Sequence, residues 1–296
     1  MSRIIVTGAA GFIGSHTTDL LLAGGHSVLG IDNFRSGHQH NLDSALKSKG
    51  FRLVEADVSE EGLMDRLVAD FRPEGIIHLA ALVSVQESIQ DPALNQLLNV
   101  TATELVAAAA VKHEVKRIVF ASSAAIYGDT TDLPISEDSA KVPISPYGEG
   151  KLTSEETLLN SAGDSLSVRC HRYFNVFGPR QDPASPYSGV ISIFDRSYRD
   201  GMPVTIYGDG QQTRDFISVH DVARANVIAV TAPDITTGVA NICTGNATSL
   251  LDIVAIFSAH YPAVPPPTLA DPRSGDIVHS LGQADRAEEE LGFVAQ

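Results

Sequence analysis

Short runs of apolar and β-branched residues recur along the first 178 residues, and helix-length segments separate them. The runs lie at 4–8, 27–32, 51–58, 75–81, 117–123 and 167–178. Strands that alternate with helices in this way pair in parallel through right-handed crossovers. Because the runs are apolar on both faces, they predict a sheet covered by helices on both sides. The predicted fold class is α/β, with a doubly wound parallel sheet.

The pattern changes after Gly178, where a Pro-rich loop begins and where later segments are less regular. We expect residues 1–178 to form the sheet domain and residues 179–296 to form mainly a smaller, substrate-binding lobe. The apolar run at 239–245 has the composition of a buried strand. We expect this strand to return to the main sheet, so that the two lobes are interleaved along the chain. Within the lobe the pattern predicts a helix at 190–200, a strand at 204–210 and a helix that begins near His220.

Composition narrows the classes of function. The formal net charge of −15 disfavours nucleic acid and anionic membranes as partners. No apolar run approaches the ~18–20 residues of a membrane span, and the first residues read directly as a strand, so we expect no leader and a cytoplasmic protein. Cys170 and Cys243 lie in apolar stretches and are expected to be buried thiols, and no metal-ligand spacing is present.

The first strand runs into a loop with three glycines, Gly8, Gly11 and Gly14, and a helix is expected from about Phe12. Glycines at this spacing allow a tight turn, a close approach of the backbone to a pyrophosphate, and packing of the helix on the strand. The N–H groups of the helix start then face the phosphates. The loop therefore predicts a dinucleotide site on a Rossmann sheet.

Acidic residues at the ends of the next two strands bear on the choice of cofactor. Asp32 closes the second strand 18 residues beyond Gly14, where a carboxylate binds both ribose hydroxyls and repels a 2′-phosphate. This favours NAD, although Arg35 nearby could pair with the 2′-phosphate of NADP. Asp57 closes the third strand, and it either bonds the adenine amine or caps the segment that follows.

Tyr147 and Lys151 lie one helical turn apart in SPYGEGK, and Ser123 ends an earlier strand. An ammonium group beside a phenol stabilises the phenolate, so we expect a lowered pKa for Tyr147 and a role as base near neutral pH. Pro146 suits the start of the helix. A serine at the carboxyl end of a strand can orient the reacting oxygen. The three residues predict oxidation and reduction at a carbinol carbon.

These residues belong to longer motifs, which are TGAAGFIGSH, DNFRSG, HLAALVSVQESIQDP, FASSAAIYGD, SPYGEGK, RYFNVFGPRQDP, IYGDGQQTRDFISVHDVARA and RSGDIVHS. The chain resembles the extended short-chain dehydrogenase/reductase family, and within it the nucleotide-sugar 4-epimerases of the UDP-glucose and UDP-N-acetylglucosamine type. Related dehydratases and decarboxylases carry an acidic residue shortly after the strand-end serine or threonine. Here Ala124 and Ala125 occupy those positions and cannot protonate a leaving hydroxyl, which favours an epimerase.

The resemblance implies roles for individual residues. The implied catalytic residues are Ser123, Tyr147 and Lys151. The implied NAD-binding residues are Gly8, Gly11, Phe12, Ile13, Gly14, Asp32, Asn33, Asp57, Val58, Leu79, Ala80, Ala81, Asn99, Tyr147 and Lys151. The implied substrate-binding residues are Ser84, Ser123, Asn175, Tyr207, Arg214, Arg273 and Ser280.

The implied reaction is reversible oxidation at C4 of a UDP-hexose through a 4-keto intermediate, with Tyr147 as the base. The small residues Ser84 and Ser280 would leave room for an N-acetyl group, although small residues are widespread at these positions. Arg214 either binds phosphate or ribose oxygens or pairs with Asp215. Tyr207 either stacks on uracil or belongs to a strand core.

The family typically forms homodimers through two helices of each subunit, here at 92–112 and 147–162, and ordinary core burial would give the same composition. Two other functions remain open. One is an NAD(P)-dependent reductase or another sugar-modifying enzyme, which releases its cofactor. The other is an NAD-sensing protein without activity, which has no need of all three catalytic residues.

Overall fold

The computed structural model describes residues 1–182, 189–272 and 277–296, and these contain twelve strands. In chain order the strands are β1 Arg3–Thr7, β2 Ser27–Asp32, β3 Phe51–Glu55, β4 Gly75–His78, β5 Arg117–Ser123, β6 Ser167–Tyr173, β7 Asn175–Phe177, β8 Thr205–Tyr207, β9 Thr213–Ser218, β10 Gly238–Ile242, β11 Ala247–Ser249 and β12 Thr268–Ala270.

Helices separate most of these strands. They are α1 Phe12–Ala23, α2 Leu63–Phe71, α3 Val85–Gln90, α4 Pro92–Asn95, α5 Ala102–Lys112, α6 Pro146–Ser161, α7 Val190–Arg199, α8 Val219–Thr231, α9 Leu250–His260 and α10 Asp285–Leu291. A π-helical turn, Gln96–Thr101, joins α4 to α5. In the described part of the chain, no helix is long and apolar enough to cross a membrane.

The largest sheet has seven parallel strands in the order β10-β6-β5-β4-β1-β2-β3. Successive side chains of β1 enter opposite cores: Ile4 and Val6 pack with α1, α8 and α10, whereas Ile5 packs with α2, α5 and α6. The doubly wound α/β fold is therefore confirmed. The strand order reverses between β1 and β4, and such a reversal opens a crevice at the carboxyl ends of the strands.

Three predicted strands are shorter than the apolar runs. β3 ends at Glu55 rather than at 58, and β4 ends at His78 because the N–H groups of Leu79 and Ala80 donate to Thr7 Oγ1, each at 3.1 Å. The run at 167–178 divides at Phe174, whose N–H donates to Ile242 O at 3.2 Å. β7 then leaves the large sheet and pairs with β9.

The smaller lobe has its own short sheets and its own core. β11, β9 and β7 form one sheet, β12 and β8 form another, and Phe194, Tyr198 and Ile206 lie in the core between α7 and α9. β10, which overlaps the run at 239–245 but begins at Gly238 and ends at Ile242, pairs with β6 at the edge of the large sheet. The chain thus returns from the small lobe to the large sheet.

Candidate active site

A cleft of about 980 Å³ lies at the carboxyl ends of the strands, where the strand order of the large sheet reverses. All but one of the residues predicted to bind NAD line it: Gly8, Gly11, Phe12, Ile13, Gly14, Asp32, Asn33, Asp57, Val58, Leu79, Ala80, Ala81, Tyr147 and Lys151. The large sheet therefore brings together side chains that are up to 143 residues apart in the sequence (from Gly8 to Lys151).

The glycine loop is too tightly packed for larger residues. Gly8 has a φ of +68°, and a Cβ there would lie 2.8 Å from Ala80 N. A Cβ on Gly14 would lie 1.9 Å from Gly8 O. Gly11 N donates to Gly8 O at 3.1 Å and precedes the first turn of α1. The loop thus presents bare backbone at the start of α1, as a pyrophosphate requires.

Asp32 lies at the end of β2, is 7% exposed, and holds the loop in place. Its carboxylate accepts hydrogen bonds from Ala10 N at 2.9 Å and Phe34 N at 2.8 Å. Burial raises the pKa of Asp32, while backbone hydrogen bonds from Phe34, Ala10 and Gly11 act in the opposite direction. A carboxylate that lines the cleft at this point is suited to ribose hydroxyls.

Arg35, the residue that left NADP as an alternative cofactor, forms an ion pair. Its guanidinium donates to the carboxylate of Glu87 in α3, and both side chains line the cleft. The pairing lowers the positive charge that Arg35 offers to a 2′-phosphate, so it favours NAD.

Asp57 forms a turn as well as lining the cleft. It accepts hydrogen bonds from Ser59 N at 2.9 Å, Ser59 Oγ at 2.6 Å and Asn33 Nδ2 at 2.8 Å. Burial raises the pKa of Asp57, but these bonds and the charge of Arg35 outweigh it, and the net direction is downward. α2 begins later, after Gly62, so Asp57 does not cap that helix. Its contact with adenine stays a prediction.

Asn99 is the exception among the predicted cofactor residues. It is 2% exposed, lies in the π-helical turn and is not among the residues that line the cleft. Its side chain accepts from Leu82 N at 2.9 Å and donates to Leu82 O at 3.1 Å. Asn99 therefore supports the backbone that follows Ala81.

The catalytic candidates come from β5 and α6. Ser145 caps α6 by accepting from Gly148 N at 3.2 Å, Pro146 occupies the first turn, and Tyr147 N donates to Ser88 Oγ at 3.1 Å. Ser123 ends β5 and its hydroxyl accepts from Ala125 N at 3.1 Å. α6 begins beside the end of β5, so Tyr147 reaches the hydroxyl of Ser123.

Lys151 is 3% exposed, and its ammonium donates to Ala121 O at 2.8 Å. Its Nζ lies 5.9 Å from the centre of the Tyr147 ring. Burial lowers the pKa of Lys151 from 10.5 to about 7. Burial also raises the pKa of Tyr147, and the hydrogen bond with Ser123 acts against this. The expected lowering of the tyrosine pKa is thus not the net result, because removal from water disfavours phenolate and ammonium alike.

Fewer of the predicted substrate-binding residues than of the predicted NAD-binding residues line the cleft. Ser84, Ser123 and Asn175 line the cleft, whereas Tyr207, Arg214 and Ser280 do not. Ser84 is 1% exposed and caps α3 by accepting from Glu87 N at 2.8 Å. Arg273 lies outside the described residues.

The other three lie in the small lobe. Tyr207 ends β8 and is half-buried. Arg214 in β9 donates to Thr213 O at 2.8 Å and Val278 O at 3.3 Å, and Ser280 N donates to Thr213 O at 3.1 Å. The neighbour of Arg214, Asp215, instead accepts from Thr244 N at 2.8 Å and Gly245 N at 2.9 Å.

Sequence reasoning missed a group of cleft residues in the loop after β7. Arg180, Gln181 and Asp182 line the same cleft as the glycine loop. Arg180 donates to Asp19 at 2.7 Å, and His38 Nε2 lies 3.4 Å from an Asp182 oxygen. The sequence shows only a polar triplet in a Pro-rich segment, and nothing local indicates that these three residues line the cleft.

Known proteins resemble the chain over nearly its full length. The model of the NAD dependent epimerase/dehydratase family matches residues 4–243. The UDP-glucose 4-epimerase of Mycolicibacterium smegmatis is 40% identical, covering 99% of this chain and 94% of that protein. A UDP-N-acetylglucosamine 4-epimerase from Methanobrevibacter ruminantium, solved with UDP-N-acetylmuramic acid, superposes with a TM-score of 0.94 at 33% identity, over 100% of this chain and 93% of that one. The Thermotoga maritima UDP-glucose 4-epimerase, solved with UDP-glucose, superposes with a TM-score of 0.92 at 36% identity. This match covers 99% of this chain and 94% of that one.

The cofactor of this family is NAD, and the residues of the cleft fit it. Bare backbone at Gly8 and Gly14, where a side chain has no space, suits a pyrophosphate. The Asp32 carboxylate suits a ribose, and the paired Arg35 does not select a 2′-phosphate. By its matched length and its cleft, the chain belongs to the NAD dependent epimerase/dehydratase family.

Proposed function

We propose that the protein is an NAD-dependent 4-epimerase of UDP-hexoses, which interconverts UDP-glucose and UDP-galactose and accepts the N-acetylated pair. One observation carries the proposal. Ser123, Tyr147 and Lys151 meet in the cleft that also holds the glycine loop, and Ala124 and Ala125 follow where a dehydratase would need an acid. The 4-epimerases among the relatives support the same reaction.

The roles of the residues follow from their contacts. Tyr147 takes the proton of the sugar 4-hydroxyl and returns it, and Ser123, hydrogen-bonded to the phenol, shares that proton and orients the hydroxyl. Lys151, which donates to Ala121 O at 2.8 Å, holds its charge beside the ring of Tyr147. NAD, when bound, would accept the hydride from C4 and, after the 4-keto sugar has rotated about its diphosphate linkage, would return it to the opposite face of the sugar.

The substrate assignment rests on one residue of the cleft and on two residues of the small lobe that lie outside the cleft lining. Asn175 lines the cleft, and Arg214 and Tyr207 extend from β9 and β8 of the small lobe. We propose that residues 1–178, with the strand at 239–245, bind NAD and that residues 179–296 mainly bind the nucleotide-sugar. We propose that the small side chains at Ser84, which lines the cleft, and Ser280, which does not, leave room for an acetamido group.

A homodimer through the helices at 92–112 and 147–162 stays a prediction. In its support, Leu97 is 43% exposed and Val111 is 53% exposed on the first of these segments.

Product analysis tests the proposed function. The purified protein is incubated separately with UDP-galactose and UDP-N-acetylgalactosamine, without added NAD, and the nucleotide-sugars are resolved by anion-exchange chromatography. Conversion of both to their gluco epimers is the expected result, and conversion of one defines the specificity. A reductase would need added cofactor and would change the oxidation state of the sugar, and a sensor would convert neither substrate.

A further inference from the structure

A buried ion pair joins α6, which carries Tyr147 and Lys151, to β6, the strand next to the one that carries Ser123. Glu155 of α6 and Arg172 of β6 are each 1% exposed. Arg172 donates to both oxygens of the Glu155 carboxylate, from Nη2 at 2.5 Å and from Nε at 3.1 Å. The same carboxylate accepts from Ser122 Oγ of β5 at 2.8 Å. A single side chain of α6 therefore contacts two neighbouring strands.

The place of these residues relative to the active site is informative. Glu155 follows Lys151 by four residues and Tyr147 by eight, so all three share one face of α6. Ser122 directly precedes Ser123, and it is the register partner of Arg172 across β5 and β6. The ion pair thus lies one helical turn beyond the catalytic lysine and one residue before the catalytic serine.

The sequence of α6 does little by itself to fix the position of this helix against β5. Gly148 and Gly150 lie in its first two turns, and glycine is the poorest helix former after proline. The other side of Arg172 is also held, because its Nη1 donates to Tyr127 OH at 2.8 Å and to Glu137 O at 2.9 Å. Arg172 is therefore held by hydrogen bonds on both sides, and its contact with Glu155 fixes α6 relative to β6.

We propose that Glu155 is a positioning residue, which sets the register of α6 against β5 through Ser122 and Arg172 so that Tyr147 meets Ser123. This inference rests on the proposed function. It assigns no contact with substrate or NAD to Glu155, since Glu155 acts through the residues of α6 and β5.

The test uses three variants of the NAD-loaded protein with UDP-galactose: Glu155→Gln, Ser122→Ala and their combination. We expect kcat to fall about tenfold for Glu155→Gln and about threefold for Ser122→Ala, with KM within about twofold, because misplacement of reacting groups affects the chemical step. The double variant should be no slower than Glu155→Gln alone, because both changes break the same link.

Glu290→Gln is the matched control. It removes the partner of Arg169, which is 1% exposed and lies on the same strand as Arg172, but this pair involves α10 and does not reach the cleft. We expect a lower melting temperature with unchanged kcat. Equal kcat per folded protein in Glu155→Gln, Glu290→Gln and the wild type would overturn the proposal, as would additive losses in the double variant. If Glu155→Gln does not fold, Ser122→Ala decides by the same criteria.

Hydrogen exchange tests the positioning role of Glu155 independently of whether the proposed enzymatic function is correct. Peptides that cover 147–155 should exchange faster in Glu155→Gln and Ser122→Ala than in the wild type, and at the wild-type rate in Glu290→Gln. If the wild type converts neither sugar, the proposed function fails, and the exchange rates still decide whether Glu155 holds α6. Unchanged exchange in the first two variants would refute the positioning role.

Discussion

The two halves of the cleft are built differently. The cofactor half consists of loops and a helix start that follow strands of one sheet, together with Tyr147 and Lys151 of α6, and fourteen of its predicted residues line one cavity. The proposed substrate half draws on the small lobe, where Tyr207 ends β8, Arg214 lies in β9 and Ser280 lies in a loop, and none of the three lines the cavity. A site made at one edge of a sheet is already formed by the fold, whereas a site shared between lobes depends on how the lobes meet.

The largest expected effect lies where the halves join. Tyr147→Phe should lower turnover about 10²–10⁴-fold while NAD stays bound, because a phenyl ring cannot transfer a proton. Turnover of UDP-galactose and the NAD content of the purified protein measure this. Tyr198→Phe, in the core of the small lobe, is the control and should keep its activity. Undiminished turnover in Tyr147→Phe would refute the assigned base.

A change confined to the cofactor half should remove NAD. In Gly14→Ala the new Cβ would lie 1.9 Å from Gly8 O, so the loop must shift. We expect the NAD content to fall at least about tenfold and the free energy of unfolding to fall by about 1–3 kcal/mol. Gly163→Ala is the control, since no atom lies within 4 Å of its Cβ position. Full NAD content in Gly14→Ala would show that the loop does not approach the pyrophosphate.

A change confined to the substrate half should spare NAD. Arg214→Gln should raise KM for UDP-galactose about tenfold with little change in NAD content, because a charged hydrogen bond to the nucleotide is worth about 1.5 kcal/mol. Arg199→Gln, at an exposed arginine of α7, should leave KM unchanged. An unchanged KM in Arg214→Gln would move the nucleotide site away from β9.

The smallest expected effect concerns stability rather than activity. The pKa of Lys151 is about 7 in the folded protein against 10.5 for a free amine, so between these pH values the unfolded chain binds more protons. The lysine therefore disfavours folding increasingly as the pH falls from 10.5 to 7. In the protein freed of NAD, Lys151→Met should raise the melting temperature by about a few degrees at pH 7.

The pH dependence provides the check on this prediction. The gain in Lys151→Met should shrink at pH 10.5, where the amine is neutral in the folded state and half of the unfolded chains have lost its proton as well. Lys116→Met, at an exposed lysine, should change the melting temperature little at either pH. A gain in Lys151→Met that does not depend on pH would show that packing, not the buried charge, is responsible.

The sequence by itself determined the doubly wound sheet, the glycine loop, Asp32 at the end of β2 and the set of Ser123, Tyr147 and Lys151. Each depends on a local pattern: apolar runs form strands, glycines admit a tight turn, and residues four apart share a helix face. Backbone geometry alone then places them at one edge of the sheet.

Only the tertiary structure decided three other features. It bonded Asn99 to the backbone of Leu82 rather than placing it in the cleft lining, paired Arg35 with Glu87, and brought Arg180 into the same cleft as the glycine loop. It also set the net direction of the pKa of Tyr147, because burial depends on neighbours from the whole chain. These are contacts between residues far apart in sequence, and no local pattern encodes a distance between elements that meet only after folding.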